Sequence, residues 1–272
     1  MRLTFILLIC LPLLSYAGGE TDPPGARSAG MANAGLNYKD IWSIYHNQAG
    51  LGYIEGPTAA VFYENKFLVS QMAYAGFAGA MPLGNGTIGV SYTNFGYGAY
   101  NEGKVGLAYG MQLSNRFAIG VQLNYHNLSI NTDGYGNIGA VSADVGFRLQ
   151  VAEKVSVAAH ITNPTKTKLN DFANERIPTV LRLGVAYDIA DNLMATAEVE
   201  KDIDMKPVFR GAFEYQPVDI LFLRIGASNN PGLLAFGFGL NLNAFKIDIA
   251  TTYHNYLGYS PQISLTYAPG KK

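Results

Sequence analysis

The chain has 272 residues, 14% of them charged, a formal net charge of -1, 31 glycines, 18 tyrosines and 14 phenylalanines. So neutral a chain offers no basic face to nucleic acid. Its one cysteine, Cys10, excludes a disulfide framework and a cysteine metal site. No run after Ala17 reaches the ~18 consecutive apolar residues of a membrane-spanning helix.

Met1 to Ala17 reads as a signal peptide. Arg2 supplies the positive start, Phe5 to Leu14 the apolar stretch, and Ser15-Tyr16-Ala17 a small-x-small cleavage site. Ile9 is too bulky to precede a lipidated cysteine, so Cys10 belongs to this leader. The pattern implies export, with cleavage near Ala17.

Residues 18–56 lack strand alternation and are expected to form a plug or hatch. Small residues fill the first half of Gly25 to Leu51, and the second half holds the only tryptophan, Trp42. Asp40 ahead of an apolar run suits a helix N-cap, and Gly50 a C-terminal stop. The residues expected to build the plug are Gly25, Ala26, Arg27, Ser28, Gly30, Met31, Trp42, Asn47 and Gly50. Ile41, Trp42 and Ile44 should pack on an enclosing wall. Arg27, enclosed among small residues, needs a carboxylate such as Glu198, Glu214 or Asp248.

Gly25-Ala-Arg-Ser-Ala-Gly-Met31 and Asn47-Gln-Ala-Gly-Leu51 resemble the start and end of the hatch in the FadL/TodX family of outer-membrane barrels and in the related PorV/PorQ barrels of type IX secretion. Those proteins usually carry proline where Gln48 stands and a glycine pair at Ala32-Asn33. The resemblance covers about 27 residues. It implies a transmembrane barrel in the outer membrane of a Gram-negative bacterium. The PorV/PorQ side implies a subunit of a secretion machine, and the FadL side a channel for hydrophobic compounds.

Residues 57–272 are a succession of short alternating segments. Val105, Leu107, Tyr109, Met111 and Leu113 alternate with Gly106, Ala108, Gly110 and Gln112, and the same period recurs from Phe117, Val141 and Leu181. A period of two puts each set on one face of a strand. Tight turns such as Gly84-Asn85-Gly86, Ser114-Asn115-Arg116 and Ala190-Asp191-Asn192 are expected to alternate with longer connections: Gly96 to Gly103, Asn131 to Asn137, Asn163 to Ile177, Lys201 to Lys206, Ser228 to Gly232 and Asn255 to Tyr259. The fold predicted is all-β, a closed antiparallel transmembrane barrel of about 14 strands with a short N-terminal helical plug. The first two strands, near Thr58 to Asn65 and Val69 to Leu83, alternate poorly.

Parity places Asp144, Arg148, Arg182, Asp188, Glu198, Glu200, Arg210, Glu214, Arg224, Lys246 and Asp248 inward. A basic residue facing lipid would cost ~2–4 kcal/mol at the bilayer midplane. Asp144, Arg148, Arg182, Glu198, Arg210, Glu214, Arg224 and Asp248 are the expected lumen charge network, neutralising one another and docking the plug. The other inward positions are mostly small or polar, with Phe222 and Leu233 as scattered exceptions, so no continuous apolar path is expected.

His46, His126, His160 and His254 stand without a second ligand at metal-binding spacing, so no metal site is expected. His126 and Ser129 have opposite parity and make no catalytic pair. No cofactor and no catalytic residue is assigned. The favoured reading is a non-catalytic accessory subunit of an outer-membrane machine, with lipid and a protein partner. The alternative is a FadL-like channel taking hydrophobic small molecules. The tyrosine-rich connections (Tyr97, Tyr100, Tyr135, Tyr256, Tyr259) and the 163–177 loop are the expected partner-facing surfaces.

Overall fold

The computed structural model describes residues 22–131, 136–170 and 175–269; the leader and Tyr135 lie outside them. The strands are β1 (Thr58–Asn65), β2 (Ala73–Leu83), β3 (Gly86–Tyr97), β4 (Tyr100–Gln112), β5 (Phe117–Ile130), β6 (Gly136–Ala152), β7 (Val155–Thr162), β8 (Lys168–Asn170), β9 (Glu175–Arg176), β10 (Val180–Ala190), β11 (Leu193–Asp202), β12 (Val208–Val218), β13 (Leu221–Asn229), β14 (Gly232–Leu242), β15 (Phe245–His254) and β16 (Gly258–Tyr267). All but β8 and β9, which form a separate small hairpin, join one closed barrel of fourteen strands. Neighbours are antiparallel, and β1 closes the ring on β16 through Ala59↔Tyr267 to Glu64↔Gln262.

The alternation of the sequence becomes an inside and an outside. On β5, Gln122 and Asn124 are buried inside, while Val121 and Leu123 stand 50% and 60% exposed outside. Phe209, Phe213, Ile225, Phe236 and Ile249 continue this apolar exterior on β12 to β15. So wide an apolar belt is stable only against hydrocarbon, and closure leaves no strand edge unpaired within it.

One end of the barrel carries tight connections and is the turn end; the other is the loop end. Strict alternation of short and long connections does not hold. Tyr97 pairs with Tyr100, and Asn229 with Gly232, so two loop-end connections are as tight as the turns. In both, the ladder continues to the tip and absorbs residues expected to be loop. The second strand also starts later than expected. Residues 66–68 and 70–72 form 3-10 turns, and β2 begins at Ala73.

The segment before β1 lies inside the barrel as single turns: α1 (Ala26–Ala29), α2 (Ser43–His46) and a 3-10 helix, Gln48–Tyr53. Ala32 and Asn33, at φ 50° and 63°, break the helical path after α1. Asp40 accepts from Trp42 N at 3.0 Å one turn ahead of α2, whose own N-cap is Trp42. Gly50 is not a stop. The 3-10 helix runs through it, and a Cβ there would fall 2.1 Å from Tyr38 O, so its role is close packing. Ile41, Trp42 and Ile44 are completely buried.

Candidate functional site

The lumen is built by the inward half of each strand and by the plug. Glycines on the wall let the plug backbone come close. A Cβ on Gly30 would meet the Gly237 Cα at 2.7 Å, and one on Gly146 would meet Asn47 Oδ1 at 2.0 Å. Ala26 and Ala29 pack with Ala250 on β15. Ser28 Oγ donates to Gly25 O at 2.7 Å, Gly25 itself packs against the Trp42 ring, and the Met31 backbone lies on Gly226.

Arg27 joins the plug to the wall. Its Nη2 and Nε donate to Glu214 Oε1 and Oε2 at 2.6 and 2.9 Å, and Nη1 donates to Asp40 of the plug itself. Glu214 also accepts from Arg224 Nε at 2.5 Å, and Arg224 Nη1 reaches Asp248 Oδ1 at 2.7 Å. A second group lies nearer the loop end. Arg182 pairs with Glu198 at 2.8 Å and donates to Asn33 O of the plug, Arg210 pairs with Glu200 at 2.8 Å, and Glu198 accepts from Leu36 N at 2.6 Å. Charged groups on both sides are therefore paired at short range in a water-poor space, where each bond is strong and an unmatched partner is costly.

Two members of the expected network depart from it. Arg148 has no carboxylate partner among the described residues; it donates to Tyr53 Oη and Gln150 Oε1, both at 3.0 Å. Asp144 accepts from Asn124 Nδ2 at 2.8 Å and Asn163 N at 3.2 Å, with Lys104 3.9 Å away. Asp188 faces the lumen as expected, but is solvent-exposed at the turn end. It borders a cavity of about 180 Å³ with Leu193, Met194, Glu214 and Phe222.

Gln48, which stands where the resembled hatch carries proline, is buried. Its Nε2 donates to Ile44 O at 3.0 Å and to Gln122 Oε1 at 3.3 Å, and its Oε1 lies 3.0 Å from His160 Nε2. Asn47 Nδ2 donates to Leu36 O and Phe147 O at 3.1 and 2.9 Å. His126 Nε2 lies 2.8 Å from Ser142 Oγ, not from Ser129. Ser142 is 2% exposed and His126 half-buried. Among the described residues no group of three His, Cys, Asp or Glu could hold a metal.

Inward apolar residues, expected to be only scattered, cluster on one side of the lumen. Phe62 on β1, Tyr74 on β2 and Phe95 on β3 all face inward, with centroids 5.1 and 6.2 Å apart in edge-to-face contacts. Trp42 and Tyr45 of the plug meet Phe62 at 6.4 and 6.1 Å. An aromatic column thus climbs from the plug to the loop end. It escaped sequence reading because β1 and β2 are apolar on both faces, which hides their parity. Tyr45 goes further. Its hydroxyl donates to Phe77 O at 2.6 Å and lies 3.4 Å from Tyr92 O, the carbonyls of two residues paired across β2 and β3.

These features define a plugged antiparallel barrel with an apolar exterior and an aromatic inner seam. Among solved structures, the toluene transporter TbuX of Ralstonia pickettii is similar, with a TM-score of 0.69 and 13% identity over 92% of this chain and 99% of that one. The CymD monoaromatic hydrocarbon channel gives a TM-score of 0.71 and 12% identity over 93% and 100%. A Pseudomonas aeruginosa FadL homologue gives 0.59 and 12% over 88% and 97%. No family model and no curated protein matches the chain. At these identities the likeness is one of fold: the chain has the fourteen-strand architecture of FadL-type barrels. The comparisons give the PorV/PorQ side of the resemblance no support.

Proposed function

We propose that this chain is a channel for small hydrophobic molecules in the Gram-negative outer membrane, its exterior in contact with lipid. The observation that carries the reading is the inward aromatic column Phe62–Tyr74–Phe95, which meets the plug at Trp42 and Tyr45. The rings are packed together, with Phe62 and Tyr74 4% and 7% exposed, so a molecule entering from the loop-end mouth would part them to reach the plug. The fold shared with transporters and channels of aromatic hydrocarbons supports it.

The test is uptake of radiolabelled toluene by cells with intact lipopolysaccharide that lack their own hydrophobic channels. Expression of this chain should accelerate uptake, and Phe95→Ala should reduce the gain. Equal uptake with and without the chain rejects the channel.

A second reading, an accessory subunit of an outer-membrane complex, is favoured by the plug, which lies in the lumen and is held to the wall by charged side chains. Stoichiometric co-purification of a protein partner in mild detergent, with no gain in toluene uptake, would decide for it.

A further inference from the structure

His46, the last residue of α2, is completely buried, and among the described residues neither of its ring nitrogens has a hydrogen-bond partner. An imidazole always carries at least one N–H, so the docked plug leaves a buried donor unmet. The ring is nevertheless closely packed. It meets Tyr38 edge-on with centroids 5.3 Å apart, and a Cβ on Gly35 would fall 2.6 Å from its Cε1.

The surroundings of the ring favour its neutral form. The rest of α2 and the 3-10 helix after it carry no charged side chain. Strand β3, packed on α2, buries Thr87, Ser91 and Thr93. The charges that act on His46 come from Arg27 in α1, His160 on β7, Arg182 on β10 and Arg210 on β12. The carboxylates of the region are already engaged: Glu198 by Arg182, Glu200 by Arg210, and Glu214 and Asp40 by Arg27. A proton on His46 would therefore add a positive charge, out of contact with solvent, to a space that already holds guanidinium groups. Burial first, then Arg182, His160, Arg210 and Arg27, holds its pKa well below the ordinary histidine value.

We infer that His46 is an acid-sensitive latch: the plug docks with a neutral imidazole, and protonation drives α2 away from the wall. An undocked His46, surrounded by water, titrates near pH ~6.5. The docked ring resists the proton until the pH is lower, so docking is strongest above that value and weakens as the pH falls through it. Carboxylates ordinarily protonate near pH ~4, so the interval from pH 7 to pH 5 separates histidine from them.

The experiment is limited proteolysis of the folded barrel in lipid vesicles from pH 7 to pH 5. Cleavage within residues 25–51 is divided, at each pH, by that of a free peptide of the same sequence. One proton taken up on undocking should make the plug about 25-fold more cleavable at pH 5 than at pH 7. His46→Leu and His46→Phe should abolish the rise. The first leaves a small void and the second fills the site, so one can decide if the other fails to dock. The readout does not depend on transport. A parent chain equally protected at both pH values overturns the latch. The same rise in a variant that docks at pH 7 also overturns it, and assigns the response to His160 or Glu198.

Discussion

Arg27 and Glu214, 187 positions apart in sequence, form a two-bond ion pair between plug and wall at 2.6 and 2.9 Å. Glu214 is shared with Arg224, so removing its charge leaves Arg27 with Asp40 alone and Arg224 with Asp248 alone. Glu214→Gln is expected to weaken plug docking by ~3 kcal/mol, the scale of breaking a buried pair. Residues 25–51 should then become protease-sensitive while the barrel keeps its heat-modifiable mobility. Resistance equal to that of the parent would show that packing alone holds the plug.

Gly237 tests packing independently of charge. Any side chain there meets the Gly30 Cα or Arg224 Cβ, at 2.9 and 3.3 Å from the added Cβ. Gly237→Val should expel α1 from the wall and expose residues 25–36 to protease, with the strands intact. A variant with unchanged protection would mean that α1 docks elsewhere.

The exterior belt makes a directional claim. Leu123, outward and 60% exposed, sits in the middle of β5 opposite Leu107 and Ala143. Leu123→Arg should destabilise the barrel in bilayers by ~2–4 kcal/mol, measured by denaturant unfolding in lipid. If the substitution is neutral, that face is not against hydrocarbon.

Tyr45 is the contact between the plug and the β2–β3 seam. Tyr45→Phe keeps the ring on Phe62 and removes the 2.6 Å bond to Phe77 O, at a cost of about 1 kcal/mol. Faster amide exchange confined to residues 76–78 and 91–93 is the expected signature. Unchanged exchange there would show that the hydroxyl does not brace the seam.

Gln48→Pro restores the residue usual in the resembled hatch. The 3-10 helix starts at this position, where proline is tolerated. The loss is in the side chain: Gln122 Oε1 and His160 Nε2 give up their contacts with Gln48. A destabilisation of ~1–3 kcal/mol is expected in lipid unfolding. A neutral or stabilising result would assign the site's energy to backbone alone.

Local periodicity and solvent chemistry, both written in the order of residues, dictate the strands and the inward charges. Alternation along Phe117 to Tyr125 or Leu181 to Tyr187 makes strands whichever neighbours they find, and a charge cannot face lipid, so Arg182, Glu198, Arg210 and Arg224 had to point inward. A run of small residues around Arg27 could not be one more strand, and β1 is bounded in the structure at Thr58 and Asn65, where weak alternation still marked it. The pairings inside the lumen depend instead on three-dimensional closure. Parity places a charge inside but says nothing of height or azimuth, and these choose Glu214 for Arg27 and leave Arg148 without a carboxylate among the described residues. The aromatic column needed closure as well. Its rings come from β1, β2, β3 and the plug, and on strands apolar on both faces the inner side exists only once β1 has met β16 and the ring is shut.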